Sequence, residues 1–290
     1  MRSTSLLLLL GLLACGGSAP ASAPPQLDLP VPPGARAAGP RCPPVAGPPR
    51  AESRPEMMRP PVARIPVSPA IQALVDAADR DAEDKKIDAG RHPGELLAFL
   101  ALRPGDRVAD LGAGGGYSTE LFARAVGPRG RVYSENPALF VKFADKPWGE
   151  RLKKLKNVVR VDRELDAPLP PDAKNLDAVV NVLVYHDSVW MGVDRDKMNK
   201  AVFDALKHGG EYVIVDHSAP EGTGTQGVKT IHRIDELFVI RDIEKAGFHH
   251  VGTGDFLRNP ADTRDWNDSP REAGERRGTS DRFVLKFIKP

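Results

Sequence analysis

Cysteine is nearly missing from this chain. Among 290 residues there are two, Cys15 and Cys42, so there is no disulfide framework and no cysteine spacing that suits a metal. Excess charge of one sign is missing as well: 41 Lys and Arg stand against 39 Asp and Glu, a net charge of +2, which argues against nucleic acid as a partner. A local basic cluster, Lys142, Lys146, Arg151, Lys153, Lys154 and Lys156, reads as the solvated face of a helix. There is also no membrane-spanning run. The apolar stretch after Arg2, LLLLLGLLA, is too short to cross a bilayer and reads as an export signal. From Gly16 to about Ser68 the chain is mostly Pro, Ala, Gly and Ser without aromatic residues. Such a segment cannot bury enough apolar surface to fold, so it reads as a disordered tether. The expected organisation is a signal peptide over 1–15, a tether over 16–68 and one domain over 69–290, long enough for a sizeable core.

What the chain does have is VADLGAGGGYS, Val108 to Ser118: a short apolar strand ending at Asp110, then Gly112, Gly114 and Gly116 running into a helix. Glycines at alternate positions let the backbone turn tightly and approach a ligand closely. The dinucleotide pattern G-x-G-x-x-G would need a glycine at position 117, which is Tyr117, and the P-loop pattern G-K-[ST] is replaced by Tyr117-Ser118. The form present is D-x-G-x-G-x-G. It resembles the first motif of the class I S-adenosylmethionine-dependent methyltransferases. That resemblance implies S-adenosylmethionine as cofactor and assigns Asp110, Gly112, Ala113, Gly114, Gly116 and Tyr117 to it, the loop beneath the methionine part and the acid at its amino end. A cofactor with a ribose predicts a further acid about twenty residues on, at the tip of the second strand, and Glu135 ends the strand Arg131–Ser134. The resemblance adds Asp162, after a third strand Asn157–Val161, near the adenine, although Glu164 and Asp166 crowd the same loop, and Asn181 on the fourth strand.

The remaining units follow in order. LDAVVNVLVY, Leu176 to Tyr185, is a near-continuous apolar run suited to a strand buried on both faces. A helix is expected from about Asp196 to Lys207 with Gly209 at its stop, then a fifth strand in EYVIVDHSAP, a helix over Ile231–Ala246, and two strands in HHVGTGDFLRN and DRFVLKFIKP. The resemblance, from about Ile71 to Pro290, implies a doubly wound, Rossmann-like α/β fold: a seven-stranded, mostly parallel sheet of order 3-2-1-4-5-7-6 with helices on both faces.

In this family the acceptor side follows the fourth strand, here Asn181-Val-Leu-Val-Tyr185-His186-Asp187. The [DN]-P-P-[YF] signature of amino-group methylators is absent, which disfavours adenine or glutamine N-methylation. His186 is the expected general base, oriented by Asp187 or a neighbouring carboxylate; the alternative is a strand-end histidine satisfying the backbone. Tyr185 is expected to cover the methionine moiety. His217 and the pair His232 and Asp235 are placed to face the same cleft from neighbouring segments. His249-His250 lack an i,i+4 partner, and no metal is expected. Y-H-D, H-R-I-D-E and D-R-F-V-L-K-F-x-K-P together are similar to a bacterial group of predicted methyltransferases that often carry export signals. Leu12-Leu13-Ala14-Cys15 resembles a lipobox, which implies cleavage and lipidation at Cys15, a membrane anchor and a place at the bacterial cell envelope, periplasm-facing or on the outer membrane; a plain secretory signal is the alternative. The expected activity is methyl transfer to a small-molecule or envelope acceptor. The alternative is a methyltransferase-like module that binds a ligand or partner without transferring methyl, because the cofactor is made in the cytoplasm.

Overall fold

Alternation along each strand decides which helix layer a side chain meets. On β1 (Arg107–Leu111), Val108 joins a cluster with Leu121, Phe122 and Val126, while Ala109 and Leu111 join another with Met198, Val202 and Ile243. Both faces of the sheet are therefore buried, and its central strands are apolar on both sides. The computed structural model describes residues 65–290. Helices α1 (Pro69–Val75), α2 (Ala82–Arg91) and α3 (Pro93–Leu100) precede β1. Then come α4 (Tyr117–Val126), β2 (Arg131–Asn136), α5 (Ala138–Lys154), β3 (Val158–Asp162), β4 (Leu176–Val182), α6 (Tyr185–Trp190) and α7 (Arg195–Ala205). The chain continues with β5 (Leu206–His217), α8 (Glu236–Glu244), β6 (His249–Gly254) and β7 (Arg282–Ile288).

The seven strands form one sheet in the order β3-β2-β1-β4-β5-β7-β6, as the resemblance implies. Strands β1 to β5 pair in parallel, and β7 runs antiparallel to both β5 and β6. Residues of α1, α3 and α4 pack on one face and residues of α7 and α8 on the other. Parallel order places the carboxyl ends of β1, β2, β4 and β5 at one edge, where open α/β sheets bind ligands.

Several boundaries differ from the sequence expectation. The tether's last residues, 65–68, belong to the fold: Ile65 packs on the core, and the Ser68 hydroxyl accepts from Ile71 N to cap α1. The helix expected to reach Lys207 ends at Ala205, because Leu206 is already extended and pairs with Leu176; the His208-Gly209-Gly210 stretch is absorbed as an irregularity before Glu211 pairs with Ala178. The helix expected from Ile231 starts at Glu236, since Ile234 bridges to Ser218 and Asp235 caps the helix through Leu237 N. The basic cluster does lie largely on α5, but Arg151 is turned inward to Asp84 and Glu120. Among the described residues, no helix is long and apolar enough to cross a membrane. Residues 1–64, with Cys15 and most of the expected tether, lie outside the described residues.

Candidate active site

The glycine loop leaves β1 at Gly112 and enters α4 at Tyr117. Gly112 has φ of +63° and Gly116 +83°, a left-handed backbone that side chains resist. At Gly112 there is also no room: a Cβ would come within 2.6 Å of Val184 Cγ1. At Gly114 the same atom would meet nothing within 4 Å, so the loop's crest is open. The end of β2 grips this loop by four hydrogen bonds. Gly112 N donates to Glu135 Oε2 (2.9 Å), Ala113 N to the Glu135 carbonyl (2.8 Å), Gly114 N to Asn136 Oδ1 (2.8 Å), and Asn136 Nδ2 to Gly114 O (3.0 Å). Glu135 is fully buried, and its second oxygen, Oε1, has no partner. Burial, opposed by the Gly112 amide, drives its pKa well up. Asn181, between Leu111 of β1 and Ile214 of β5, is equally buried, and both of its side-chain polar atoms are unpartnered. Buried polar groups left without partners are uncommon, and these two flank the loop.

Asp110 faces α4, where Thr119 Oγ1 donates to its Oδ2 (2.6 Å) and also meets Ser134 Oγ (2.8 Å). Burial pushes the Asp110 carboxyl up to about 7, against the Thr119 hydrogen bond and the nearby Arg91 charge. Tyr117 Oη donates to Asp88 Oδ1 (2.7 Å), and the Arg91 guanidinium lies 4.8 Å from the centre of its ring, so α2 is fastened over the start of α4.

At the other end of the edge, a short turn with Leu183 at φ +62° leads from β4 into α6. This turn brings His186 beneath the end of β5. His186 is fully buried; its Nδ1 contacts Asp216 Oδ1 at 2.6 Å, and its backbone N donates to Asp216 Oδ2 at 2.8 Å. Its Nε2 lies 3.1 Å from Asp187 Oδ1, an ion-pair contact, but makes no hydrogen bond. The His232 ring stands edge-on to it at 4.1 Å between centroids, and His217 at 5.5 Å. Burial disfavours charge on His186, yet Asp216 and Asp187 outweigh it and push the pKa up to about 10. His232 goes the other way: burial, then the His186 charge, pull it down to about 4.

The structure thus gathers Gly112, Ala113, Gly114, Gly116, Glu135 and Asn181 around the loop, and His186, Asp187, His217 and His232 beyond β4 and β5. Four expectations need correction. Tyr185 is a core residue: its hydroxyl donates to Asp242 Oδ2 (2.9 Å) and accepts from Asn199 Nδ2 (2.9 Å), away from any cleft. His186 does not stand free in the cleft as a base: it is fully buried, Asp216 engages both its Nδ1 and its backbone N, and the neighbouring carboxylates raise its pKa. Asp235 caps α8 and accepts from Gly222 and Gly224 instead of facing the cleft. Asp110 spends its carboxylate on Thr119 and so anchors the loop from below. Asp162 sits exposed at the edge, paired with Arg160. Two contributors were not singled out. Asn136 had a signal, its place next to Glu135; Asp216 had a weaker one, its place beside His217.

The family model of protein-L-isoaspartate(D-aspartate) O-methyltransferase matches residues 67–145, the stretch containing the glycine loop and Glu135. An arsenite methyltransferase of Halobacterium salinarum is 27% identical over 215 residues, 69% of this chain and 51% of that protein. A ubiquinone/menaquinone biosynthesis C-methyltransferase of Vibrio campbellii is 30% identical over 120 residues, 41% of this chain and 44% of its own. The chain spans about half or less of the curated relatives it matches. Among solved structures, an S-adenosylmethionine-dependent methyltransferase from Aquifex aeolicus aligns with a TM-score of 0.50 at 18% identity, covering 73% of this chain and all of that one, a likeness of fold. The fold is thus the Rossmann-like fold of methyltransferases, and in sequence the chain is similar over part of its length to S-adenosylmethionine-dependent methyltransferases, a family whose cofactor is S-adenosylmethionine.

Proposed function

We propose that the protein transfers a methyl group from S-adenosylmethionine to a small-molecule or envelope acceptor at the sheet's carboxyl edge. The observation that carries this reading is the buried Glu135 carboxyl with Oε1 unpartnered, beside a glycine loop whose crest is open. Glu135 suits the ribose hydroxyls: its free Oε1 is an acceptor for them, and hydroxyls donating there would favour the charged carboxylate that burial otherwise disfavours, giving charge-assisted bonds of about 1.5–3 kcal/mol each. The loop backbone from Gly112 to Gly116 suits the methionine part, and Asn181 offers a donor and an acceptor next to it. Bound S-adenosylmethionine supplies a methyl already activated on a sulfonium. The chain's task is then chiefly to hold a nucleophile in line with that methyl and to exclude water, effects worth up to about 7–11 kcal/mol. His186, Asp187 and His232 are the polar groups on the acceptor side of this edge. Leu12 to Cys15 supports lipidation at Cys15 and anchoring at the cell envelope, with the residues before the fold as a tether.

Calorimetric titration of the full chain with S-adenosylmethionine tests the reading. One site is expected; absence of heat at high micromolar cofactor would overturn it. If cofactor binds, labelled methyl is expected to appear on a component of envelope or cytosolic extracts. Binding without transfer to any extract favours the ligand-binding module instead.

A further inference from the structure

We propose that His186, Asp187 and His232 form a site for a divalent transition-metal ion of the zinc or iron class. Their ligating atoms, His186 Nε2, Asp187 Oδ1 and His232 Nε2, all lie within 4.8 Å of one another. Asp187 Oδ1 is 3.1 Å from His186 Nε2 and 3.7 Å from His232 Nε2. Donors about 2.0–2.1 Å from a tetrahedral zinc stand about 3.3 Å apart, so the cluster is close to a ligand set before any ion arrives.

The decisive atom is His186 Nε2, fully buried and without a hydrogen bond. A buried imidazole ordinarily uses both nitrogens. Here Nδ1 is held by Asp216, whose two oxygens also accept from the backbone N of His186 and of His217 (each 2.8 Å). A carboxylate on the far nitrogen is the usual support of a metal-bound histidine: it keeps the proton on Nδ1, so that an arriving ion displaces only the proton on Nε2. Asp187 is oriented in turn by Trp190 Nε1, which donates to its Oδ1 (2.6 Å).

Two imidazoles and one carboxylate select zinc, iron, cobalt or manganese over magnesium or calcium, which prefer all-oxygen sites. Three protein ligands leave coordination positions open, the arrangement of catalytic rather than structural sites. His232 is 21% exposed at its side chain and marks the solvent side of the cluster. An acceptor hydroxyl or thiol bound at an open position would release its proton to water more readily. The acceptor class would then be an oxygen or sulfur nucleophile. That last step rests on the methyl-transfer reading; the metal site does not.

The test uses the full chain, stripped with chelator and titrated with Zn2+ and with Co2+ in the absence of any cofactor. One equivalent is expected at the cluster, with visible Co2+ absorption bands of nitrogen and oxygen ligation. His232→Ala and the near-isosteric Asp187→Asn are each expected to weaken binding at least tenfold and change those bands, with circular dichroism unchanged. His249→Ala, at the start of β6, is expected to bind as the parent does. Cys15 and Cys42 are common to all variants, so binding by them cannot produce the difference. A parent that binds neither ion, or one whose binding survives both ligand substitutions, would overturn the site. Metal binding without S-adenosylmethionine binding would leave the site standing and remove the methyl-transfer reading.

Discussion

The two ends of the sheet's carboxyl edge are built on opposite plans. At β1 and β2 the site is backbone: four hydrogen bonds tie Gly112, Ala113 and Gly114 to Glu135 and Asn136, and the acids there are driven toward neutrality by burial. At β4 and β5 the site is side chain: three histidines and two aspartates from separate segments gather in the interior, His186 held charged by its aspartates while burial disfavours charge on His217 and His232. The first plan suits a large ligand of fixed shape, because backbone cannot be moved by exchanging one residue. The second suits chemistry on a variable partner. Substitutions at the two ends are therefore expected to fail differently.

The largest effect is expected from Gly112→Val. It places branched carbons where Val184 already stands, on a backbone of φ +63°. Overpacking costs about 1–3 kcal/mol, and strain at a positive φ about 1–3 more. Urea unfolding should show the loss, and cofactor heat should vanish. Glu135→Ala comes next: it removes Oε1 and the clamp on Gly112 together and should weaken cofactor binding at least tenfold, about 1.4 kcal/mol. His232→Ala sharpens the contrast from the other side, abolishing methyl transfer while leaving calorimetric cofactor affinity within about twofold. A fall in affinity as deep as that of Glu135→Ala would mean that the two ends are one site.

A subtler expectation concerns pH. Asp110 titrates at about 7 in the fold against an ordinary 3.8, so between these values the folded chain holds a proton that the unfolded chain releases. The stabilisation from keeping that carboxyl neutral is fully present below pH 3.8 and is lost as pH rises to about 7. Asp110→Asn should flatten this fall in urea midpoints measured from pH 4 to 8, and an unchanged slope would remove the assignment. The smallest effect is expected at Asp162: its pair with Arg160 is half exposed, such pairs contribute about 0–1 kcal/mol, and Asp162→Ala should alter cofactor affinity less than threefold.

How much of this could be read beforehand depends on how far apart along the chain each site's residues lie. The glycine loop is contiguous, and Glu135 follows from the geometry of one βα unit, so both were legible. The sheet order followed from the family resemblance, supported by apolar runs such as Leu176 to Val182. Tyr185 was misread because adjacency in sequence suggests a shared site, but successive helical residues point about 100° apart, and α6 turns Tyr185 into the core while His186 faces Asp216. The role of Asp216 was hidden for a related reason: a strand-end acid carries no local mark of what it will face. His232 was noticed as a cleft residue, yet its approach to His186 depends on the extended stretch before α8, where a helix was expected.

The most direct test is a paired calorimetric titration with S-adenosylmethionine of the full chain and of Glu135→Ala. The account predicts a single site in the parent and at least tenfold weaker binding in the variant, with both chains folded by circular dichroism. Equal affinity in the two, or no binding in the parent at high micromolar cofactor, would contradict it.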